Sequence, residues 1–192
     1  MKNRCSWCGD DSLYIRYHDK EWGVPNHNDR KLFEFLILEG AQAGLSWITI
    51  LRKREAYRKA FDNFNFNKVA NYNERKIQSL LKDEGIVRNR LKIRSTVQNA
   101  KAFLRIRDEF GTFNKYIWQF VDGKPVRNGW KSLKQIPART ELSNKLSKDL
   151  KQRGFTFVGS TICYAHMQAT GMVNDHTVDC FRYGEIQLPV GK

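Results

Sequence analysis

The sequence has no run that approaches 18 consecutive apolar residues, so it does not predict a helix that crosses a membrane. Its first ten residues, MKNRCSWCGD, lack the apolar centre of a secretory signal peptide. It contains only 4 cysteines among 192 residues, and the missing signal places them in a reducing compartment. These absences predict a cytoplasmic protein whose cysteines bind metal or are buried.

Acidic residues are also scarce, with 20 Asp and Glu against 34 Lys and Arg, which leaves a formal net charge of +14. This excess is larger than the solubility of a monomer requires, and it favours a polyanionic partner such as nucleic acid. Apolar residues make up 41% of the chain, including 12 Phe, 7 Tyr and 5 Trp. One large domain or two small ones can therefore form a sizeable core.

Alternating polar and apolar runs are rare, and repeats and low-complexity segments are absent, so the pattern predicts an all-α protein. The residues up to Pro25 and the segment 123–139 are interpreted as loops. The predicted helices are 32–44 after a cap at Asp29, 47–63 after Ser46, short helices from Asn67 and Asn73 (the latter ending at Gly85), 86–110, 115–120, a helix from Leu142 that stops at Gly154, and 161–171 after Ser160.

The stretch from Gly154 to Cys180 carries two features with chemical meaning. The first is a short glycine-bounded turn, GFTFVG, that leads into a helix. Such a turn directs backbone N–H groups and the positive end of the helix dipole at one point, which suits a phosphate. The second is the pair His176 and Cys180, which would share one face of a helix and supply half of a tetrahedral zinc site.

The N-terminal region offers two ways to complete that metal site. Cys5 can act together with His18, or Cys5 can act with Cys8, and the spacing alone leaves both alternatives open. The remaining cysteine, Cys163, is better interpreted as a small buried apolar residue. The remaining histidines, His27 and His166, are better interpreted as solvated or core residues.

Aromatic residues are concentrated among polar ones near the N-terminus, namely Trp7, Tyr14, Tyr17, Trp22 and, slightly later, Trp47. They could belong to the core, but aromatic faces beside polar groups also suit stacking on a base or on a cationic ring. Glu39 lies on the apolar stripe of its predicted helix, where a carboxylate is costly. It is either a structural acid held by a partner or an acceptor at the floor of a pocket.

Several long motifs resemble the 3-methyladenine DNA glycosylase I family of bacterial base-excision-repair enzymes. They are CSW, YIRYHDKEWGVP, LILEGAQAGLSWITILRKRE, GIVRNRLKI and LKQRGFTFVGSTICYAHMQATGMVNDHTVDC. The resemblance extends from Cys5 to about Cys180 and is weakest in 123–139 and after Phe181.

The resemblance implies a helix-hairpin-helix DNA glycosylase fold, with one domain over 1–192 or two helical lobes, and with the motif itself at about 143–172. One structural Zn²⁺ would tie the N- and C-terminal segments together, and Cys8 would not be a ligand. The implied zinc ligands are Cys5, His18, His176 and Cys180, and the implied DNA-phosphate contacts are Gly154, Gly159, Ser160 and Thr161.

The resemblance also implies a base pocket. Glu39 and Tyr17 would hydrogen-bond the alkylated adenine and Trp47 would stack on it, with Trp7, Trp22 and Tyr14 as further base-binding residues. Relatives that form a Schiff base carry a lysine just after the hairpin, where this chain has Thr161. Many carry a catalytic aspartate where this chain has Asn174, although Asp175 is adjacent.

The implied activity is therefore that of a monofunctional glycosylase, which hydrolyses the N-glycosidic bond of 3-methyladenine without lyase chemistry. The alternative is a non-catalytic, zinc-stabilised nucleic-acid-binding module. The expected partners are duplex DNA with alkylated bases and the free 3-methyladenine product. No association with a membrane is expected. The expected state is a monomer in the bacterial cytoplasm, associated with the nucleoid through DNA.

Overall fold

A computed structural model describes residues 2–186 and confirms the predicted all-α architecture. Within that range, no helix is both long and apolar enough to cross a bilayer. The elements are α1 (Ser12–Lys20), α2 (Asp29–Gln42), α3 (Trp47–Ala60), α4 (Phe66–Ala70), α5 (Glu74–Leu81), α6 (Arg90–Phe110), α7 (Phe113–Trp118), β1 (Val126–Arg127), α8 (Glu141–Gln152), α9 (Ser160–Ala169), β2 (Val173–Asn174) and α10 (Phe181–Glu185).

Side-chain caps explain most of the helix boundaries. Asn73, Asn89 and Thr112 each accept a hydrogen bond from the first turn of α5, α6 and α7, respectively. Asn89 therefore starts α6 later than the predicted residue 86, and Asn65 rather than Asn67 caps α4. The helix α5 ends at Leu81, before the predicted stop at Gly85, and Gly159 rather than Ser160 is the N-cap of α9.

The interpretation of the N-terminal region as a loop is wrong, because α1 lies there. Asp11 caps it by accepting hydrogen bonds from the amides of Leu13 and Tyr14 at 2.9 and 3.1 Å. The signal was present in the sequence as an acid placed directly before SLYIRYHDK. The high density of aromatic and polar residues obscured its helical period.

The helix α2 is the central element of the core. Every residue from Leu32 to Ala41 is buried, and α2 packs against α3, α6, α7 and α9. Because it is enclosed on all sides, its polar residues are enclosed too. A cluster of phenylalanines fills the space between α2, α6 and α7, and Phe103 stacks on Phe113 with ring centroids 4.2 Å apart.

The segment 123–139 is mainly irregular, as predicted, but it is tied to the C-terminal part of the chain. The strands β1 and β2 pair in parallel, with Val126 opposite Val173. The amide of Val178 also donates to the carbonyl of Trp130 at 2.9 Å. These contacts hold the segment over the faces of α2 and α9 that form the site described next.

Candidate base-binding pocket and metal cluster

A cavity of about 320 Å³ opens where α1, α2, α3 and α9 meet. It contains all six residues that were predicted to bind the base, although they come from four separate parts of the chain. They are Trp7, Tyr14, Tyr17, Trp22, Glu39 and Trp47. The helix α1 explains two of them, because Tyr14 and Tyr17 are three residues apart and therefore lie on the same face.

The aromatic rings form the sides of this cavity. Trp7 makes edge contacts with Tyr14 and with Trp22, in each case with ring centroids 4.9 Å apart. Tyr17 lies 5.5 Å from Trp47 at an interplanar angle of 53°. The indole N–H groups of Trp7 and Trp47 are buried without an acceptor within residues 2–186. Such unpaired donors are uncommon in a core and are typical of sites that serve a ligand.

Glu39 lies at the floor of the cavity and has no charge partner. It is 4% exposed and accepts no hydrogen bond from any residue of the described chain, 2–186. Burial raises the pKa of its carboxyl group to about 8. At neutral pH Glu39 is therefore largely protonated, and a positive charge placed in the pocket would favour its carboxylate form.

The same helix carries a second buried acid in the opposite electrostatic state. Glu34 is also 4% exposed, but it accepts from Arg54 at 2.7 Å and from Arg58 at 2.7 Å, and it lies 3.3 Å from Lys31. Burial acts to raise its pKa, yet the positive charges of Arg54, Lys31 and Arg58 outweigh burial and lower it. Glu34 is thus a structural acid held by ion pairs, whereas the carboxyl group of Glu39 has no charge partner and faces the cavity.

Tyr17 is buried against Glu39 and keeps its proton. Burial, together with the charge of Glu39, raises the pKa of Tyr17 well above 10. Its hydroxyl has no acceptor among the residues that the structure describes. The pocket therefore offers one phenolic donor and one carboxyl group to a bound molecule.

Sequence reasoning missed five further residues that line the cavity: one on α2, two on α9 and two in the segment 123–139. The last two had no local signal, since contacts distant in sequence, such as the pairing of β1 with β2, bring the segment to the pocket. The five residues are Gln42, Leu133, Ile136, Ala165 and Gln168.

The turn between α2 and α3 forms the rim of the pocket and presents Leu45, which is 41% exposed. Gly44 has a φ of +81°, a conformation that favours glycine and lets the turn project outward. The ammonium group of Lys92 donates to the carbonyls of Ala41 and Ala43 at 2.8 and 2.6 Å. These bonds anchor the rim to α6.

A cluster of four buried metal-binding side chains lies directly behind the pocket: Cys5, His18, His176 and Cys180. Their ligand atoms are all within 4.8 Å of one another. The Nδ1 of His176 lies 3.5 Å from each cysteine sulfur, and the Nε2 of His18 lies 3.5 Å from the sulfur of Cys180. A tetrahedral site with ordinary metal–ligand distances would separate sulfur and nitrogen ligands by about 3.6 Å.

Hydrogen bonds on the far side of each ring orient the two histidines. The Nδ1 of His18 lies 2.8 Å from Asp19, which Arg4 holds in turn, and the Nε2 of His176 lies 3.1 Å from the carbonyl of Trp22. Donation from these nitrogens leaves the other nitrogen of each ring as a lone pair directed at the cluster. The four residues can therefore bind a metal ion.

The expectation that His176 and Cys180 share a helical face is wrong. They lie in a turn before α10, where the amide of Cys180 donates to the carbonyl of Thr177 at 2.8 Å. Cys8 is buried outside the cluster and donates to the carbonyl of Cys5 at 3.2 Å. The alternative half-site of Cys5 with Cys8 is therefore not formed.

The metal cluster and the base pocket share a wall. Trp22 lines the pocket, and its ring centroid lies 4.6 Å from that of His176. Gly23 has a φ of +76°, and a Cβ atom there would lie 3.1 Å from the His176 ring. The positive φ and this close approach to His176 both favour glycine at the position next to Trp22.

The turn 153–159 joins α8 to α9 and forms the predicted hairpin. Gly154 has a φ of +88°, and Phe155 and Val158 are buried beneath the turn. No side chain caps α9, so its first amides have no acceptor within the helix. The predicted phosphate contacts Gly159, Ser160 and Thr161 begin this helix, whose other end carries Gln168 about 12 Å away along the axis.

Basic residues near the hairpin differ in their availability. Lys148 and Lys151 are exposed on α8. Arg153, in contrast, is held by Asp149 at 2.7 Å and by Glu109 at 2.7 Å. The guanidinium group of Arg153 therefore stabilises the hairpin rather than standing free for a phosphate.

Comparison with known proteins agrees with this geometry. A sequence model described as methyladenine glycosylase matches residues 7–183. The DNA-3-methyladenine glycosylase 1 of Escherichia coli K12 is 50% identical over 180 residues, which cover 94% of this chain and 96% of the relative.

Solved structures of 3-methyladenine DNA glycosylase I are equally similar. One is 50% identical with a TM-score of 0.91 and covers 93% of this chain and 98% of its own. Another, a tyrosine-to-phenylalanine variant in complex with 3-methyladenine, is 37% identical with a TM-score of 0.91 and covers 93% and 96%, respectively. The chain therefore belongs to the methyladenine glycosylase family.

Proposed function

We propose that this protein is a monofunctional DNA glycosylase that hydrolyses the N-glycosidic bond of 3-methyladenine in alkylated DNA. The products are the free base and an abasic site. One observation carries the proposal: a buried, unpaired carboxyl group, Glu39, lies at the floor of a cavity with aromatic sides. The relatives named above support the same activity.

Recognition begins with the DNA backbone. The duplex carries one negative charge per phosphate, and a chain with a net charge of +14 is attracted to it. The free amides at the start of α9 grip one phosphate. Because α9 also lines the pocket at Ala165 and Gln168, the same rigid helix relates the phosphate to the base.

The target nucleotide must leave the stack, at a cost of a few kcal/mol. Leu45 projects from the rim of the pocket and is the exposed apolar residue placed to enter the space that the base vacates. The hydrogen bonds from Lys92 to the turn hold this rim in position. The flipped base then enters the cavity between the aromatic rings.

An adenine alkylated at N3 is positively charged in the nucleotide, which makes it a good leaving group. Its charge favours the carboxylate form of Glu39, which releases its proton as the base enters. Glu39 then accepts from the exocyclic amino group, Tyr17 donates a second hydrogen bond, and Trp47 stacks on the ring. Binding the cation in the ground state does not by itself accelerate cleavage, so these contacts select the damaged base. Water attacks C1′ of the sugar.

The absence of lyase chemistry rests on Thr161. This residue follows the hairpin at the place where a Schiff-base-forming relative would carry lysine, and threonine has no amine to form that adduct. The pocket itself contains no lysine among the residues that line it. Borohydride is therefore expected to trap no covalent complex.

We also propose that the metal cluster binds one structural Zn²⁺. Two thiolates and two imidazoles are the donors that zinc prefers, and all four positions of the tetrahedron are taken by protein. A closed site has no place for substrate water, so its role is to hold the shared wall at Trp22. We further propose that the protein acts as a monomer on nucleoid DNA in the cytoplasm.

The direct test is release of 3-methyladenine from methylated duplex DNA by the wild-type protein and by Glu39→Gln. Losing one charge-assisted hydrogen bond in a buried site should lower the rate of release by about tenfold or more. Glu55→Gln, an exposed acid on α3, is the control and should keep wild-type activity. Full activity of Glu39→Gln would remove Glu39 from base recognition, and absence of release by the wild type would reject the proposed function.

A further inference from the structure

Asp175 is a fully buried carboxylate at the junction of the pocket and the segment 123–139. One of its oxygens accepts from the side-chain amide of Asn128 at 2.6 Å and from the indole of Trp130 at 2.8 Å. The other accepts from the hydroxyl of Tyr164 at 2.6 Å and from the amide of Gln168 at 2.8 Å. Four donors from two separate parts of the chain thus converge on one side chain.

These four bonds use the whole accepting capacity of the carboxylate, which has two lone pairs on each oxygen. With no surface open to solvent and no free lone pair, Asp175 has no means of reaching an attacking water. Its neighbour Asn174, at the place where many relatives carry the catalytic aspartate, is buried as well. The role of Asp175 is therefore to hold the four groups that donate to it, and not to activate the water that attacks the sugar.

The bond to Asp175 sets the orientation of Gln168. Because the amide nitrogen of Gln168 is directed at Asp175, the carbonyl oxygen is the free polar atom of that amide. Gln168 lines the cavity, and its oxygen has no donor within residues 2–186. The pocket thereby gains an acceptor of fixed orientation, which suits an amino group of a bound base and opposes a carbonyl group.

The bonds to Asn128 and Trp130 hold the outer wall. A few residues further along the chain, Leu133 and Ile136 line the cavity. The wall has no regular secondary structure beyond the two-residue strand β1 and a single short turn. It therefore depends on long-range hydrogen bonds for its position.

We propose that Asp175 is a positioning residue for base recognition: it fixes Gln168 as a hydrogen-bond acceptor in the pocket and holds the segment 128–136 as the pocket's wall. This inference rests on the proposed glycosylase function and adds a specificity determinant to it. The determinant selects a purine that bears an exocyclic amino group.

The test uses Asp175→Asn in the full-length protein. The substitution keeps the shape but presents an amide nitrogen to two donors, so it releases either the wall or the orientation of Gln168. Affinity for free 3-methyladenine, measured by calorimetry, and its single-turnover release from DNA are each expected to fall about tenfold. Affinity for undamaged duplex is expected to stay within about twofold of wild type, because the hairpin is untouched.

Two further variants show whether Asp175 acts through its donors. Gln168→Met keeps side-chain volume, Trp130→Phe keeps an aromatic ring, and each removes one bond to Asp175. Each should lower base affinity several-fold. When Asp175→Asn is combined with Gln168→Met or with Trp130→Phe, at least one of the two double variants should lose less than the product of its single losses, since both of its changes disrupt the same contact.

Asp62→Asn is the matched control, because Asp62 also accepts from a tyrosine hydroxyl, that of Tyr72, but lies outside the pocket. It should retain base affinity and release. If Asp175→Asn binds and releases 3-methyladenine like wild type, or if its loss multiplies fully with that of Gln168→Met and also with that of Trp130→Phe, the proposal is wrong. Should Asp175→Asn not fold, wild-type base affinity in both Gln168→Met and Trp130→Phe would overturn it. Absence of release by the wild type would instead reject the proposed function.

Discussion

Two glutamates five residues apart on α2, Glu34 and Glu39, have different roles: the first is part of a structural ion-pair network and the second faces the pocket. Each is 4% exposed, so burial disfavours the charged form of both carboxylates, and of Glu39 more strongly. Glu34 is compensated by arginines from α3, while Glu39 has no charge partner. The opposite directions of their pKa shifts follow mainly from what α3 places opposite each residue.

Because Glu39 has a pKa of about 8 in the folded state and an ordinary one when unfolded, the folded protein holds one more proton between about pH 4.5 and pH 8. The stability that this group contributes is therefore fully present below about pH 4.5 and is lost progressively as pH rises from there to about 8. We expect Glu39→Gln to raise the unfolding free energy by on the order of 4 kcal/mol at pH 8, and by little at pH 5. Thermal denaturation at the two pH values measures this.

Glu34→Gln is the matched control for that measurement. It removes the buried acid that pairs with Arg54 and leaves that guanidinium only its more exposed partner Glu21, which should destabilise the protein by about 3 kcal/mol. Two substitutions of the same type on the same helix should thus change stability in opposite directions at pH 8. If Glu39→Gln also destabilised at pH 8, the assignment of Glu39 as an uncompensated acid would be incorrect.

The hairpin between α8 and α9 owes its shape to the helices beneath it. Asn99 of α6 exchanges two hydrogen bonds with the backbone of Thr156, at 2.8 and 2.9 Å, and Ser147 of α8 donates to the carbonyl of Val158 at 2.6 Å. These side chains satisfy backbone groups on the inner side of the turn. The amides that begin α9 are left facing outward.

Gly159→Asp tests the hairpin as the DNA grip. A Cβ atom at Gly159 meets nothing within 4 Å, and aspartate is a favoured N-cap, so the fold should be kept or slightly stabilised. The added carboxylate would occupy the phosphate position and should weaken duplex binding more than about tenfold. Removing the phosphate contact should also reduce the log–log salt slope by about 0.9.

Gly159→Ala is the control at the same position, since it adds the Cβ atom without the charge. It should bind duplex DNA nearly as well as wild type. Unchanged affinity of Gly159→Asp in a titration against salt would place the phosphate contact elsewhere.

At the scale of the whole molecule, the metal cluster joins residues from the two ends of the chain. Cys5 and Cys180 are brought together with His18 and His176, and His176 supports Trp22 at the pocket. A metal ion bound only by the folded state adds its binding energy to folding. Because Trp22 belongs to the pocket and contacts His176 of the cluster, loss of the metal should affect both the stability of the fold and the affinity for the base.

We expect a strong chelator, or the substitution Cys5→Ser, to lower the melting temperature by roughly 10 °C or more, which corresponds to about 4 kcal/mol for a chain of this size. Cys8→Ser is the control, because Cys8 is buried three residues away but outside the cluster. Elemental analysis should give one zinc per chain for wild type and for Cys8→Ser. A zinc content of zero with an unchanged melt would end the zinc proposal.

Several features could be predicted from the sequence because they are local. The helical periods and the start of a helix at Asn73 depend on residues a few positions apart, and the predicted all-α fold is confirmed. The long motifs led to the correct family, which is confirmed. The roles of the individual pocket and phosphate residues stay predictions.

The tertiary structure decided what depends on residues distant in the chain. It separated the ionised Glu34 from the protonated Glu39, placed Cys5 with His18 rather than with Cys8, and turned the segment 123–139 into a wall held by Asp175. Periodicity and capping are energies of neighbouring residues, so the sequence by itself determined the helices. Ionisation, metal ligation and pocket shape depend on which side chains meet through space, and only the packed fold brings them together.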